Sequence, residues 1–172
     1  RKKILAFNGC YHGSVDETLV ANLFGQTVNI PGTLGPLFDD PSVMTKVIEF
    51  NDVDALEKAL AERDVAVVIT EPVMSNVGII YPEEGYHEAL RALTRKYGTY
   101  LLIDETHCIC AGPAGITGEW GLKPDIITFG KPISGGSPAG VMGVCAEIAE
   151  KLEARIPWHN FFGFGGTLSG NA

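Results

Sequence analysis

The chain has 172 residues, 45% of them hydrophobic and 20% charged, with a formal net charge of -8. That length and balance suit a globular domain able to bury its own core, and they exclude a disordered chain. The acidic surplus argues against a nucleic-acid or anionic-membrane surface. With no long apolar span and no signal-peptide layout, a cytoplasmic protein is expected.

Apolar runs of strand length alternate with amphipathic helical stretches, the pattern of βαβ units in a mostly parallel sheet with helices on both faces. "KILAF" (residues 3–7) reads as the first strand. The stretch from Gly25 to Pro41, with several Gly and Pro, reads as a surface excursion. "KVIEF" (46–50) is a strand, followed by Asn51 and Asp52 as candidate caps of a helix through "VDALEKALAER". In that helix Val53, Leu56, Ala59 and Leu60 share one face, which should pack on the sheet. "VAVVIT" (65–70) has the continuous β-branched character of a strand covered on both sides. A loop and a helix from about Glu83 to Tyr97 follow, with Gly98 as its stop. "YLLID" (100–104), "DIITF" (125–129) and "GVMGVC" (140–145) are further strands. The piece "GKPISGGSPA" between the last two is too short for a helical crossover, so that pair should be antiparallel.

Four cysteines (Cys10, Cys108, Cys110, Cys145) fall in no disulfide-framework spacing and read as reduced thiols. "HCIC" at 107–110, with Cys10 and His12 far upstream, lacks the paired knuckle spacing of a zinc site, and no metal is expected. "DETH" (104–107) imitates the acidic box of helicase-type NTPases, but no Gly-x-x-x-x-Gly-Lys-Ser/Thr loop precedes it.

In an open parallel sheet, ligands bind at the carboxyl ends of the strands. Asp104 ends one strand and Lys131 stands two residues beyond another, so both should face one crevice; taken singly, Asp104 could be a helix N-cap and Lys131 a snorkelling surface lysine. "GCYHG" (9–13) puts an aromatic and an imidazole directly after a strand, suited either to a flat ligand ring or to a plain turn. "GFGGTLSG" (163–170) suits either an anion-approaching loop or a mobile linker. His87 reads as a helix residue on an exposed face, and His159 lies in the tail; neither carries a role.

Taken in order, "GCYHG", "EPVMSNVG", "YLLIDET", "GLKPDIITFGKPISGG" and "GGTLSGN" resemble the class-III aminotransferases, pyridoxal-phosphate enzymes of fold type I. The likeness covers nearly the whole chain, and its specificity lies in the order of the motifs and in a strand-end Asp 27 residues before the lysine. The branch it resembles most includes glutamate-1-semialdehyde aminomutase and the β-amino-acid aminotransferases. The resemblance implies that Lys131 forms the Schiff base with the cofactor, in a crevice that disfavours its ammonium form, and then carries the proton between substrate and cofactor carbons. It implies that Asp104 pairs with the pyridine nitrogen and keeps it protonated, that Tyr11 stacks on the ring, and that His12 and Gly13 complete that turn. It also places Asn76 near the phenolic oxygen, Thr106 against the ring, and Thr167 across a homodimer interface at the neighbouring subunit's phosphate. Thr106 departs from the usual Val, and Met74 stands where many members have Gln.

Members of the family are more than twice as long. The resemblance therefore implies that residues 1–172 are the central part of the cofactor-binding large domain, without the upstream phosphate-loop segment or the downstream small domain, and that the isolated piece is inactive. The activity first implied is transfer of an amino group between an amino acid, β-amino acids included, or an amine and a keto acid. A 2,1-aminomutase is the alternative, and a non-catalytic homologue acting as a binding module is a further one.

Overall fold

The computed structural model describes residues 1–32 and 38–155. Thr167, His159 and the run "GFGGTLSG" lie outside them. Six strands form one sheet: β1 (Lys3–Phe7), β4 (Thr45–Ile48), β5 (Val65–Thr70), β6 (Tyr100–Asp104), β7 (Ile126–Phe129) and β8 (Val141–Val144), in the spatial order β4-β1-β5-β6-β7-β8. All neighbours pair in parallel except β7 and β8, which are antiparallel, with Phe129 opposite Val141. The strands read from apolar runs thus form one mixed sheet of the expected kind.

Two helices seal one face. In α1 (Val53–Ala61) the Asp52 carboxylate accepts from Ala55 N at 2.8 Å, satisfying one of the amides that a helix start leaves free. Its far end is held by Lys46, whose ammonium donates to Ala59 O at 3.1 Å and pairs with Glu62 and Asp64, a cation where the helix dipole favours one. The second helix, α2 (Tyr86–Tyr97), begins three residues later than the periodicity suggests. The cause is Gly85, whose left-handed backbone (φ 78°) breaks continuity with Glu83 and Glu84. It ends at Gly98, whose φ of 65° turns the chain so that Thr99 N reaches Thr94 O.

From these helices Leu56, Leu60, Leu90 and Leu93 bury against Leu5, Phe7, Val68, Leu101 and Ile103 of the sheet. Beside them Phe7, Phe50 and Tyr86 meet edge to face, with centroids 4.7–6.3 Å apart. Strand alternation sends Val67, Ile69, Tyr100 and Leu102 to the opposite face, where they are only half-buried. The full two-sided cover expected for β5 is therefore not reached within the described residues. The last helix, α4 (Ala146–Arg155), touches that second face through Tyr100, whose hydroxyl donates to Glu147 and accepts from Lys151.

An unexpected hairpin, β2 (Val20–Leu23) with β3 (Gln26–Asn29), straddles the start of the Gly25–Pro41 excursion. Its two-residue turn is Phe24-Gly25, both at positive φ (51° and 82°), as a type I′ turn requires. Phe is a poor residue for that conformation, so the turn carries little sequence signal. Asn8 ties the hairpin to β1 by accepting from Asn22 N at 2.9 Å. A short α3 (Gly115–Glu119) lies between β6 and β7.

Candidate functional site

Because β1, β5, β6 and β7 run parallel, their carboxyl ends release four loops at one edge of the sheet. These loops surround a cavity of about 310 Å³, on the half-buried face of the sheet. Tyr11, His12 and Gly13 arrive from β1, Glu71 from β5, Asp104, Thr106 and His107 from β6, and Lys131 from β7. Asp104 and Lys131 thus do share one crevice, together with the aromatic-imidazole turn. Ile69 and Leu102 form an apolar floor.

Asp104 is buried, and each of its oxygens is engaged: Oδ2 with His12 Nδ1 at 2.8 Å, Oδ1 with Thr106 N at 3.0 Å. Burial by itself would raise its pKa, but the hydrogen bonds from His12 and Thr106 outweigh that and hold it below the ordinary carboxylate value. Its partner His12 has a side chain only 1% exposed. Burial would lower the imidazole's pKa, yet Asp104 and Cys10 as hydrogen-bonding partners push it up to about 9. At neutral pH the pair is therefore an imidazolium on a carboxylate. A carboxylate has about four lone-pair sites, so Asp104 keeps acceptor capacity beyond its bonds with His12 and Thr106.

Lys131 stands at the β7 side of the same cavity. Within the described residues it lies exposed at the mouth of the cavity. Its own backbone is left-handed, φ 48°, within a short 3₁₀ turn (Lys131–Ser134) that Pro132 supports at its first positions. A non-glycine residue in that conformation is strained, and strain of this kind is often concentrated at functional sites. A side chain on Gly130 would meet only Ala139 O at 3.5 Å, so the constraint falls on the lysine more than on the glycine before it.

Tyr11 is 45% exposed on the cavity wall, free to lie against a flat ring. Asn76 sits outside the cavity lining, exposed, with Nδ2 donating to Glu71 Oε1 at 3.0 Å. Three residues were not singled out by their sequence setting. Glu71 is buried directly after β5, and Ser75 and His107 join it: Ser75 Oγ lies 2.5 Å from both Glu71 Oε2 and His107 Nδ1. A charged residue at the end of an apolar strand was the available signal for Glu71, the same signal that marks Asp104. His87, read as exposed, is buried instead. Its Nε2–H donates to Pro72 O at 2.8 Å, and burial holds it below its ordinary pKa, so it is a neutral structural residue away from the crevice. None of the four cysteines is in a disulfide; Cys10 and Cys108 are buried.

A parallel sheet with one antiparallel strand, carrying a lysine, a carboxylate and an aromatic at its strand ends, is the architecture of a fold-type-I pyridoxal-phosphate enzyme. The chain belongs to the class-III aminotransferases, whose family model matches residues 1–172. It is 42% identical to the glutamate-1-semialdehyde 2,1-aminomutase of Sulfurihydrogenibium azorense, over 99% of this chain and 40% of that protein. The crystal structure of a glutamate-1-semialdehyde aminomutase from Pseudomonas aeruginosa superposes with a TM-score of 0.93 at 48% identity, covering 100% of this chain and 39% of that one. A β-phenylalanine aminotransferase from Variovorax paradoxus matches with a TM-score of 0.76 and 27% identity, over 99% of this chain and 36% of that one. The chain thus spans about 40% of the length of the curated relatives it matches. No described helix is long and apolar enough to cross a membrane.

Proposed function

We propose that this chain is the central part of the large domain of a pyridoxal-phosphate-dependent 2,1-aminomutase of the glutamate-1-semialdehyde type. The observation carrying this reading is the convergence of Lys131, Asp104 and Tyr11 on one cavity in a chain 41–48% identical to glutamate-1-semialdehyde aminomutases over nearly its full length. Aminotransfer to a separate keto acid, the activity first implied by the motifs, is the second reading, supported by the likeness to a β-phenylalanine aminotransferase.

The residues present fit the cofactor. The cavity suits a substituted pyridine ring, Tyr11 offers a face to stack on, and Asp104 offers a free lone pair from a carboxylate kept ionised by His12. When bound, pyridoxal phosphate supplies an electron sink for the carbanion left when a proton leaves the substrate carbon. Asp104 would hold the proton on the ring nitrogen. The Lys131 amine would tether the cofactor aldehyde, and once displaced by substrate it would accept and return the proton at the substrate carbon. His12 would act through Asp104, as the cation that keeps the carboxylate charged. Thr106 would fix the carboxylate's orientation from its backbone N–H. Asn76 and Thr167 keep the roles the resemblance implies as part of this reading, with Thr167 serving a homodimer.

Two experiments test it. Given glutamate-1-semialdehyde and no keto acid, the parent protein should form the isomeric amino ketone, in which the amino group has moved between carbons of one molecule. A strict need for an added keto-acid acceptor would replace the aminomutase reading with the transferase one. Lys131→Ala should abolish both the cofactor's visible absorbance band and turnover; undiminished turnover would remove the lysine from its role, while a wild type with no turnover on either substrate set would leave the binding-module reading.

A further inference from the structure

We propose that the cavity between α2 and residues 120–123, on the face of the sheet opposite the crevice, is a second binding site, for a small aromatic carboxylate.

Strand β6 sets two cavities back to back. Its side chains alternate, so Leu102 and Asp104 line the crevice described above while Leu101 and Ile103 point under α2. There they floor a second cavity of about 300 Å³, walled by His87 and Arg91 of α2 on one side and by Trp120 and Leu122 on the other. Trp120 is 43% exposed, a large aromatic left open beside an apolar floor. Its indole leans on the His87 ring, with centroids 6.1 Å apart, and keeps the rest of its surface for a flat partner.

The charges around this cavity lack counter-ions. In a protein of net charge -8, Arg95 and Lys123 both line it, and neither side chain has an ion-pair or hydrogen-bond partner among the described residues. By contrast Lys3, Lys46, Lys96 and Lys151 are all paired with carboxylates. Arg91 adds a further donor: its two terminal nitrogens are engaged by Asp125, but its Nε is buried and without a partner among the described residues. A buried N–H left unpaired is destabilising until an acceptor reaches it. Glu88 also lines the cavity and pairs with neither cation. Its charge opposes a second negative charge on a ligand, so these groups favour a monoanion with a flat apolar body over a dianion such as phosphate.

The test uses the cofactor-loaded parent protein and para-fluorobenzoate, followed by fluorine NMR. The probe should bind with a dissociation constant of about 0.1–1 mM, the range of a single ring with a charge-assisted contact. Arg95→Gln and Lys123→Gln should each raise that constant about fivefold, and Trp120→Ala by about as much. All three side chains are exposed, so the variants should keep the native circular dichroism spectrum. The cofactor's visible band should stay in place as probe is added, because the crevice lies on the other face of the sheet. On the wild type, neutral para-fluorobenzamide should bind about tenfold more weakly, and inorganic phosphate should not displace the benzoate. Equal affinity for benzoate and benzamide overturns the proposal, as does displacement by phosphate. So does an unchanged constant in the Arg95→Gln, Lys123→Gln double variant, or a cofactor band that shifts as the probe binds.

Discussion

Replacing Asp104 with Asn tests the electrostatics of the site without any ligand present. In the native pair, the His12 side chain is 1% exposed and that of Asp104 11%, so solvent screens their interaction little. The rise of His12 from 6.5 to about 9 corresponds to roughly 3 kcal/mol favouring the imidazolium, gained against a burial term that works the other way. The amide introduced by Asp104→Asn is isosteric with the carboxylate and could still accept from Nδ1, but it brings no charge. Burial then dominates, and His12 should titrate below its ordinary 6.5, with Cys10 as the remaining hydrogen-bonding partner. The assay is an NMR pH titration of the His12 Cε1–H resonance in wild type and Asp104→Asn, with His12→Gln supplying the assignment. A wild-type midpoint at or below 6.5, or a variant midpoint that stays near 9, would refute the reasoning. The cofactor-loaded variant should in addition lose most turnover, because its ring nitrogen would have no carboxylate to hold the proton.

The same pair sets a pH window for stability. A pKa raised in the folded state contributes stability that is complete below 6.5 and lost as pH rises through about 9, so urea midpoints should fall across that interval in wild type and stay flat in His12→Gln. Asp104, lowered in the folded state, acts in the opposite sense: its contribution is present above 3.8 and lost as pH falls through its lower folded value. Leu56→Ala empties a fully buried site between α1 and the sheet and should cost about 3 kcal/mol, read as a lower urea midpoint at unchanged slope. Arg91 grips Asp125 with two bonds of 2.7 Å while Asp125 also accepts from Leu101 N, which pins α2 to the start of β7. Arg91→Ala should cost about 2–3 kcal/mol and Arg91→Lys should recover little of it, since an ammonium cannot form the fork.

Much of this protein is local and was legible as such. Strand ends at Phe7, Thr70 and Asp104 follow from where apolar β-branched runs stop, because side-chain alternation and backbone sterics act over a few residues. Asp52 as a cap, Gly98 as a stop and the antiparallel β7-β8 pair follow in the same way from residue chemistry and loop length. So does the placing of a strand-end carboxylate and a lysine just past a strand end around one cavity, given that parallel sheets collect such ends at one edge. What the chain could not declare is anything depending on which strands become neighbours. His12 meets Asp104 across 92 residues, and Ser75 meets His107 across 32, because β1 and β6 flank β5 in space. His87 looked exposed because its helix periodicity cannot reveal that Pro72 and Trp120 close over it. Burial and hydrogen-bond partners are properties of the packed sheet, so tertiary structure alone decided that His12 carries a charge and that His87 does not.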